Sequence, residues 1–142
     1  MNGITYLSGR ARNPSLFYFS AMIDHYSFGK ITIDGKVYTF DCIILHDPAA
    51  PGAQQTRVIE NWWRESGHRL CVKDIAHMLS FAPECIIIGQ GAYSAMKVSD
   101  EAREAIESMG IERIFQDTEK ACKTVNRLFG IKKFAAGFHL TC

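Results

Sequence analysis

The sequence predicts an α/β domain in which an N-terminal β-hairpin is followed by β-α-β-α-β, with a largely parallel or mixed sheet covered on its faces. Three observations carry this. Strand-forming runs flank an Asp34-Gly35 turn, apolar residues recur at helical spacing in three later segments, and short aliphatic runs alternate with those segments. The 142 residues, 47% hydrophobic and 22% charged, suit one compact domain whose core needs neither disulfides nor metals. Collagen-like, disordered and disulfide-scaffold classes are excluded by the same figures.

The elements follow in order. Tyr26 to Ile33 and Lys36 to Leu45, rich in Val, Ile, Tyr, Phe and Thr, read as the two strands of the hairpin. His46 to Gly52 holds two prolines and a glycine and must be a loop. Thr56 to Arg64 reads as extended. Val72, Ile75, Ala76 and Leu79 lie at i, i+3, i+4 and i+7 on one helical face, and Pro83 stops that helix before the buried strand Glu84 to Ile88.

The next helix is the best marked. Ala102, Ala105, Ile106 and Met109 form its apolar face, Ser99 is its N-cap, Asp100 and Glu101 favour its positive start, and Gly110 can end it in the left-handed conformation. Ile111 to Phe115 is a strand, Thr118 to Phe129 a helix and Ile131 to Leu140 a final strand.

Net charge is +1, from 16 Lys and Arg against 15 Asp and Glu, so nucleic acid is not an expected partner. No apolar run approaches the roughly 20 residues that span a bilayer. Five cysteines, an odd number with no C-x-x-C pair, read as reduced, mostly buried thiols of an intracellular, cytoplasmic protein. Residues 1 to 22 carry Arg10 and Arg12 with no acid and are read as an arm outside a domain spanning 23 to 142. The arm is a start placed too early, with Met22 as the alternative, or a structural arm, or a transit peptide that would make the location mitochondrial.

Several residue groups carry chemistry. Gly89-Gln90-Gly91, with Tyr93 just beyond, follows a buried strand where α/β sheets gather ligands, and its amides could face an anion; the plain alternative is a tight structural turn. A dinucleotide fingerprint needs a helix directly after the glycines, yet Ser99 comes eight residues after Gly91. His68, Cys71, Asp74 and His77, and His139 with Cys142, have spacings that fit no compact ligand set, so no metal or other cofactor is expected. No G-x-S-x-G elbow surrounds Ser94, and Cys71 near His68 lacks a protease-like context. Adjacent Trp62 and Trp63 in an extended segment face opposite sides, so one is available beside Arg64 as an interface anchor, unless both serve only core packing.

Tyr26-Ser27-Phe28-Gly29-Lys30-Ile31, Trp63-Arg64 with Gly67-His68, Ile87-Ile88-Gly89-x-Gly91, Asn126-x-Leu128 and Gly137 to Cys142 together resemble a known domain family. It is the small domain of unknown function shared by mitochondrial complex I assembly factor 3, the adipogenesis-associated protein and prokaryotic stand-alone homologues. The resemblance runs from about residue 23 to 142 and implies a three-layer fold with a mixed central sheet. It supplies no catalytic residues, and Gln90 stands where a Thr is expected between the glycines.

The sequence therefore points to a non-catalytic binding or assembly-factor-like domain, with a protein partner and room for a small-molecule ligand. Its groove is expected near the Gly89 to Gly91 turn, bordered by Trp62, Trp63, Arg64, His68, Gln90 and Tyr93. The alternative is an enzyme or anion-binding protein using the same groove, with His68, Asp117 or His139 as acid or base.

Overall fold

Residues 4–5 and 22–142 are described in a computed structural model of the chain. The arm expected over residues 1 to 22 falls outside this set except at Ile4, Thr5 and Met22. Strand β1 (Ile4–Thr5) pairs antiparallel with β2 (Ile23–Ser27). Met22 is buried in the core, and its carbonyl accepts from the Asp34 N–H at 2.8 Å.

The single long strand expected over Tyr26 to Ile33 is broken. A tight turn at Phe28-Gly29 separates β2 from β3 (Lys30–Ile33), and Gly29 takes a φ of +79°, which a side chain would resist. Asp34 and Gly35 both have positive φ, 48° and 83°, as a two-residue hairpin turn requires before β4 (Lys36–Tyr38). The run Lys36 to Leu45 is also split. Residues 39–41 leave the first sheet, and β5 (Cys42–His46) enters a second one. A carboxylate at Asp41 cannot sit in the buried strand that follows without donors of its own.

The second sheet contains β6 (Thr56–Ile59), β8 (Cys85–Gly89), β10 (Glu112–Gln116) and β11 (Phe134–Phe138) as well as β5, in the order β10-β8-β11-β5-β6. Strand β8 runs parallel to β10 and β11, while β5 runs antiparallel to β11 and β6, so the sheet is mixed. Strands β5, β8 and β11 are buried throughout. Their side chains alternate between two cores: Cys42, Ile44, Cys85, Ile87, Phe134, Ala136 and Phe138 face one, and Ile43, Leu45, Ile86, Ile88 and Ala135 the other.

Helix α2 (Asp100–Ser108) covers the second core through Ala102 and Ile106, and α3 (Thr118–Leu128) covers the first through Ala121, Cys122 and Val125. Ser99 Oγ accepts from the Ala102 N–H at 3.1 Å and Asp117 Oδ1 from the Lys120 N–H at 2.9 Å, so both helices start on side-chain caps. Asn126 ties α3 to β2, accepting from the Ile23 N–H and donating to its carbonyl, both at 2.9 Å. The hairpin sheet and α3 thus form one outer layer on the mixed sheet, and α2 lies on the other.

The helix expected around Val72 to Leu79 is shorter and mixed. A 3-10 turn at Val72–Ile75 leads into α1 (Ala76–Ser80). Asp74 is spent as a cap, its Oδ2 accepting from the Cys71 N–H at 2.8 Å. Two-residue strands β7 (Arg69–Leu70) and β9 (Lys97–Val98) pair in parallel and anchor this segment. Thr56 to Arg64 is extended only to Ile59; Asn61, at φ 56°, turns the chain away.

All five cysteines are free, and burial pushes the Cys42 thiol up to about 12 and the Cys85 thiol up to about 11, so neither forms a thiolate readily. His46 is fully buried against Phe129 and Phe134, its ring centroid 4.2 and 5.1 Å from theirs. Its Nε2 accepts from the Gly130 N–H at 2.9 Å, which leaves Nδ1–H to donate to Thr56 Oγ1, also at 2.9 Å. Burial pushes its pKa down to about 4. A folded value below the unfolded one means that the unfolded chain binds the proton first, so stability falls as pH drops from about 6.5 towards 4. We expect urea unfolding at pH 4.5 to show a loss of about 2 kcal/mol from this residue relative to pH 7, reduced in His46→Gln.

Candidate functional site

Asp41, between the two sheets, gathers four hydrogen bonds from distant segments. Its Oδ1 accepts from the Leu140 N–H at 2.8 Å, and its Oδ2 accepts from Arg64 Nη2 at 2.7 Å. Its backbone carbonyl accepts from the Trp62 N–H at 2.7 Å. His139 Nδ1 lies 2.8 Å from the same Oδ2, and 3.1 Å from Arg64 Nη2. Two lone pairs would repel at 2.8 Å, so the attractive assignment places a proton on Nδ1, which donates to Asp41. Burial alone would raise the Asp41 pKa, but the bonds from His139, the Leu140 N–H and Arg64 outweigh it and hold the carboxyl below its usual value.

Above this cluster lies an open groove of about 400 Å3, lined by residues 39–41, 61–64 and Thr141. Trp62 and Trp63 divide as adjacent residues should. Trp62 is 7% exposed; its indole N–H donates to the Asp74 carbonyl at 2.9 Å and its ring lies over Gly137, where a Cβ would come within 2.6 Å of ring carbons. The Arg64 guanidinium sits 4.8 Å from the Trp62 ring centroid, a cation–π contact. Trp63 is 75% exposed on the groove rim, with Phe40 at 68% on the same rim.

The Gly89-Gln90-Gly91 turn backs onto the floor of this groove without lining it. Gly89 lets α3 approach, since a Cβ there would stand 3.0 Å from Thr118 Oγ1, and its carbonyl accepts from the His139 N–H at 2.9 Å. Gln90 is spent inside the loop, donating from Nε2 to the Met96 carbonyl at 3.1 Å. Gly91 has φ +103°, and a Cβ on it would collide with the Cys142 carbonyl oxygen and reach 2.9 Å from His139 Cδ2. The crevice where parallel-strand ends gather ligands is therefore filled by residues 139–142, which the Ala92 and Ala95 N–H groups bind through the carbonyls of Thr141 and Cys142 at 2.6 and 3.0 Å.

The other predicted residues lie elsewhere. Tyr93 is exposed, its ring centroid 6.4 Å from that of Phe28. His68 is exposed outside the groove lining, its carbonyl bonded to the Lys97 N–H at 2.9 Å. Asp117 caps α3, so of the three acid–base candidates His139 is the one in contact with Asp41. No three metal-capable side chains converge among the described residues. Asp41, Phe40, Asn61 and Thr141 were not predicted. One signal marked Asp41: it is the charged residue in the otherwise uncharged run Val37 to Leu45.

A family model described as a protein of unknown function, DUF498/DUF598, matches residues 23–139. The crystal structure of a conserved hypothetical protein from Pyrococcus horikoshii OT3 is 26% identical, with a TM-score of 0.72 over 84% of this chain and 98% of that one. A protein from Bordetella parapertussis (17% identity, TM-score 0.64, 82% and 92% covered) shares the fold. So does an outer membrane protein from Bartonella henselae (19%, 0.61, 84% and 94%). No helix among the described residues here is long and apolar enough to cross a membrane.

Two substitutions test the site's construction. Asp41→Ala strands the Arg64 guanidinium, whose side chain is 6% exposed, and is expected to lower the unfolding free energy by about 3 kcal/mol. Gly91→Ala adds a Cβ both at a left-handed φ and against Cys142, and is expected to cost about 2 kcal/mol or more in the same denaturation assay.

Proposed function

The chain belongs to the DUF498/DUF598 family of proteins of unknown function, and from that premise we propose that it is a non-catalytic binding domain whose groove takes a protein partner. The observation that carries this reading is the pair Phe40 and Trp63, two large aromatic side chains left in water on the rim of one groove while Trp62 beside them is buried. Aromatic side chains around a concave surface are the residues that anchor interfaces. The ionisable groups lining the groove, Asp41 and Arg64, are bonded to each other rather than held ready for proton transfer. That arrangement favours recognition over chemistry, and it fits the assembly-factor-like role expected from the sequence.

Trp63→Ala separates binding from folding. Truncating an exposed side chain is expected to change stability by under about 1 kcal/mol, whereas Trp62→Ala should cost about 3 to 5 kcal/mol. Partner capture from the native source, quantified by mass spectrometry against wild type, should fall about tenfold or more for Trp63→Ala at unchanged melting temperature. Equal capture by the two proteins overturns the groove reading.

A further inference from the structure

Resting on that groove reading, we propose that the group received over Arg64 is a partner's carboxylate, carried next to an aromatic side chain that lies against Phe40 and Trp63. Arg64 leaves several of its donors unused. Asp41 holds the guanidinium through one nitrogen, Nη2, because its other oxygen is committed to the Leu140 N–H, so the two-oxygen fork is not formed. Nη1 reaches only the Trp62 carbonyl at 3.5 Å, the outer limit of a hydrogen bond. Nε is itself buried, with no hydrogen-bond partner among the described residues. A permanently charged group with five N–H bonds therefore lines the groove with most of its donors idle, and with its side chain 6% exposed it meets little water.

A planar acceptor with two oxygens answers that deficit best. Arg64 is the one cation among the lining residues and Asp41 already balances its charge, which suits a monoanion better than a phosphate dianion. Asp41 repels such a guest weakly, since both its oxygens are turned to donors inside the protein. The rim supplies the second half of the recognition: Phe40 and Trp63 offer ring faces, and the hydroxyls of Thr39 and Thr141 with the amide of Asn61 offer hydrogen bonds around it.

The test uses the full chain and three small probes. N-acetylphenylalanine presents a terminal carboxylate beside an aromatic ring, capped aspartylphenylalaninamide presents a side-chain carboxylate, and N-acetylphenylalaninamide presents the ring alone. In 15N-resolved NMR titrations the two indole N–H signals distinguish Trp62, bonded to Asp74, from the exposed Trp63. At least one acid is expected to move the Trp63 indole and Arg64 Nε–H signals with an affinity about tenfold above the amide, the stronger acid identifying the terminal or side-chain source. Arg64→Lys, folded by its amide spectrum, should lose that preference, and Trp63→Ala should weaken both acids. If the amide binds as tightly as both acids, carboxylate recognition is overturned and the groove still takes an apolar group. If no probe moves Trp63, or if folded Arg64→Lys keeps the preference, carboxylate recognition is overturned, while partner capture by Trp63→Ala decides the groove reading separately.

Discussion

One carboxylate in the wrong place for a strand organises this molecule. Asp41 stands where the chain must pass from the hairpin sheet to the mixed sheet, and it draws the loop after β6 and the residues after β11 onto itself. A buried charge is tolerated only when donors surround it, and here Arg64, His139 and the Leu140 N–H meet that requirement from 23, 98 and 99 positions away. The groove exists because these segments converge. Pairing of β5 with β6 and β11 brings Thr39, Asn61 and Thr141 near one another, and the Asp41 carboxylate ties the loop carrying Arg64 to the segment carrying His139 across that concavity.

Glycine completes what Asp41 begins, by omission. At Gly137 the missing side chain lets the Trp62 ring lie on the sheet, which in turn gives the Arg64 guanidinium a ring face to rest on. At Gly91 it lets residues 139–142 press into the turn, so that His139 is held from behind while its Nδ1 meets Asp41. Both are close packing of backbone on neighbour, and they position the cluster that forms the groove floor.

What the sequence displays is local, and what it hides is distant. The cap at Ser99 and the Asp34-Gly35 turn act within a few residues, so the local sequence exposes them, whereas Asp117, read as a possible acid or base, is the cap of α3. Strands β8 and β11 announce themselves because burial on both faces demands an unbroken apolar run. The Phe28-Gly29 turn is harder, since its flanks read as one continuous strand. Asp41 is absorbed into the strand read over Lys36 to Leu45, because its meaning depends on Arg64 and His139, far along the chain. The segment 69–80 misled for a similar reason: its apolar spacing fits a helix, but Asp74 is drawn off to cap it and β7 is pinned by β9. The Gly89 to Gly91 turn was legible as a site of close backbone approach, though the approaching group is the chain's own backbone.

The sheet order also bears on when the fold can form during synthesis. Strand β11 lies in the middle of the mixed sheet, between β8 and β5, yet it is the last described strand to leave the ribosome. The hairpin layer can pair early. The β5–β6 and β8–β10 pairs, in contrast, have no common neighbour until residue 138 has emerged, so each must wait with an open, strongly apolar edge. The nascent chain is thus committed to a delayed, concerted closure. During that interval its exposed Ile-rich edges are the surfaces that a chaperone would have to shield.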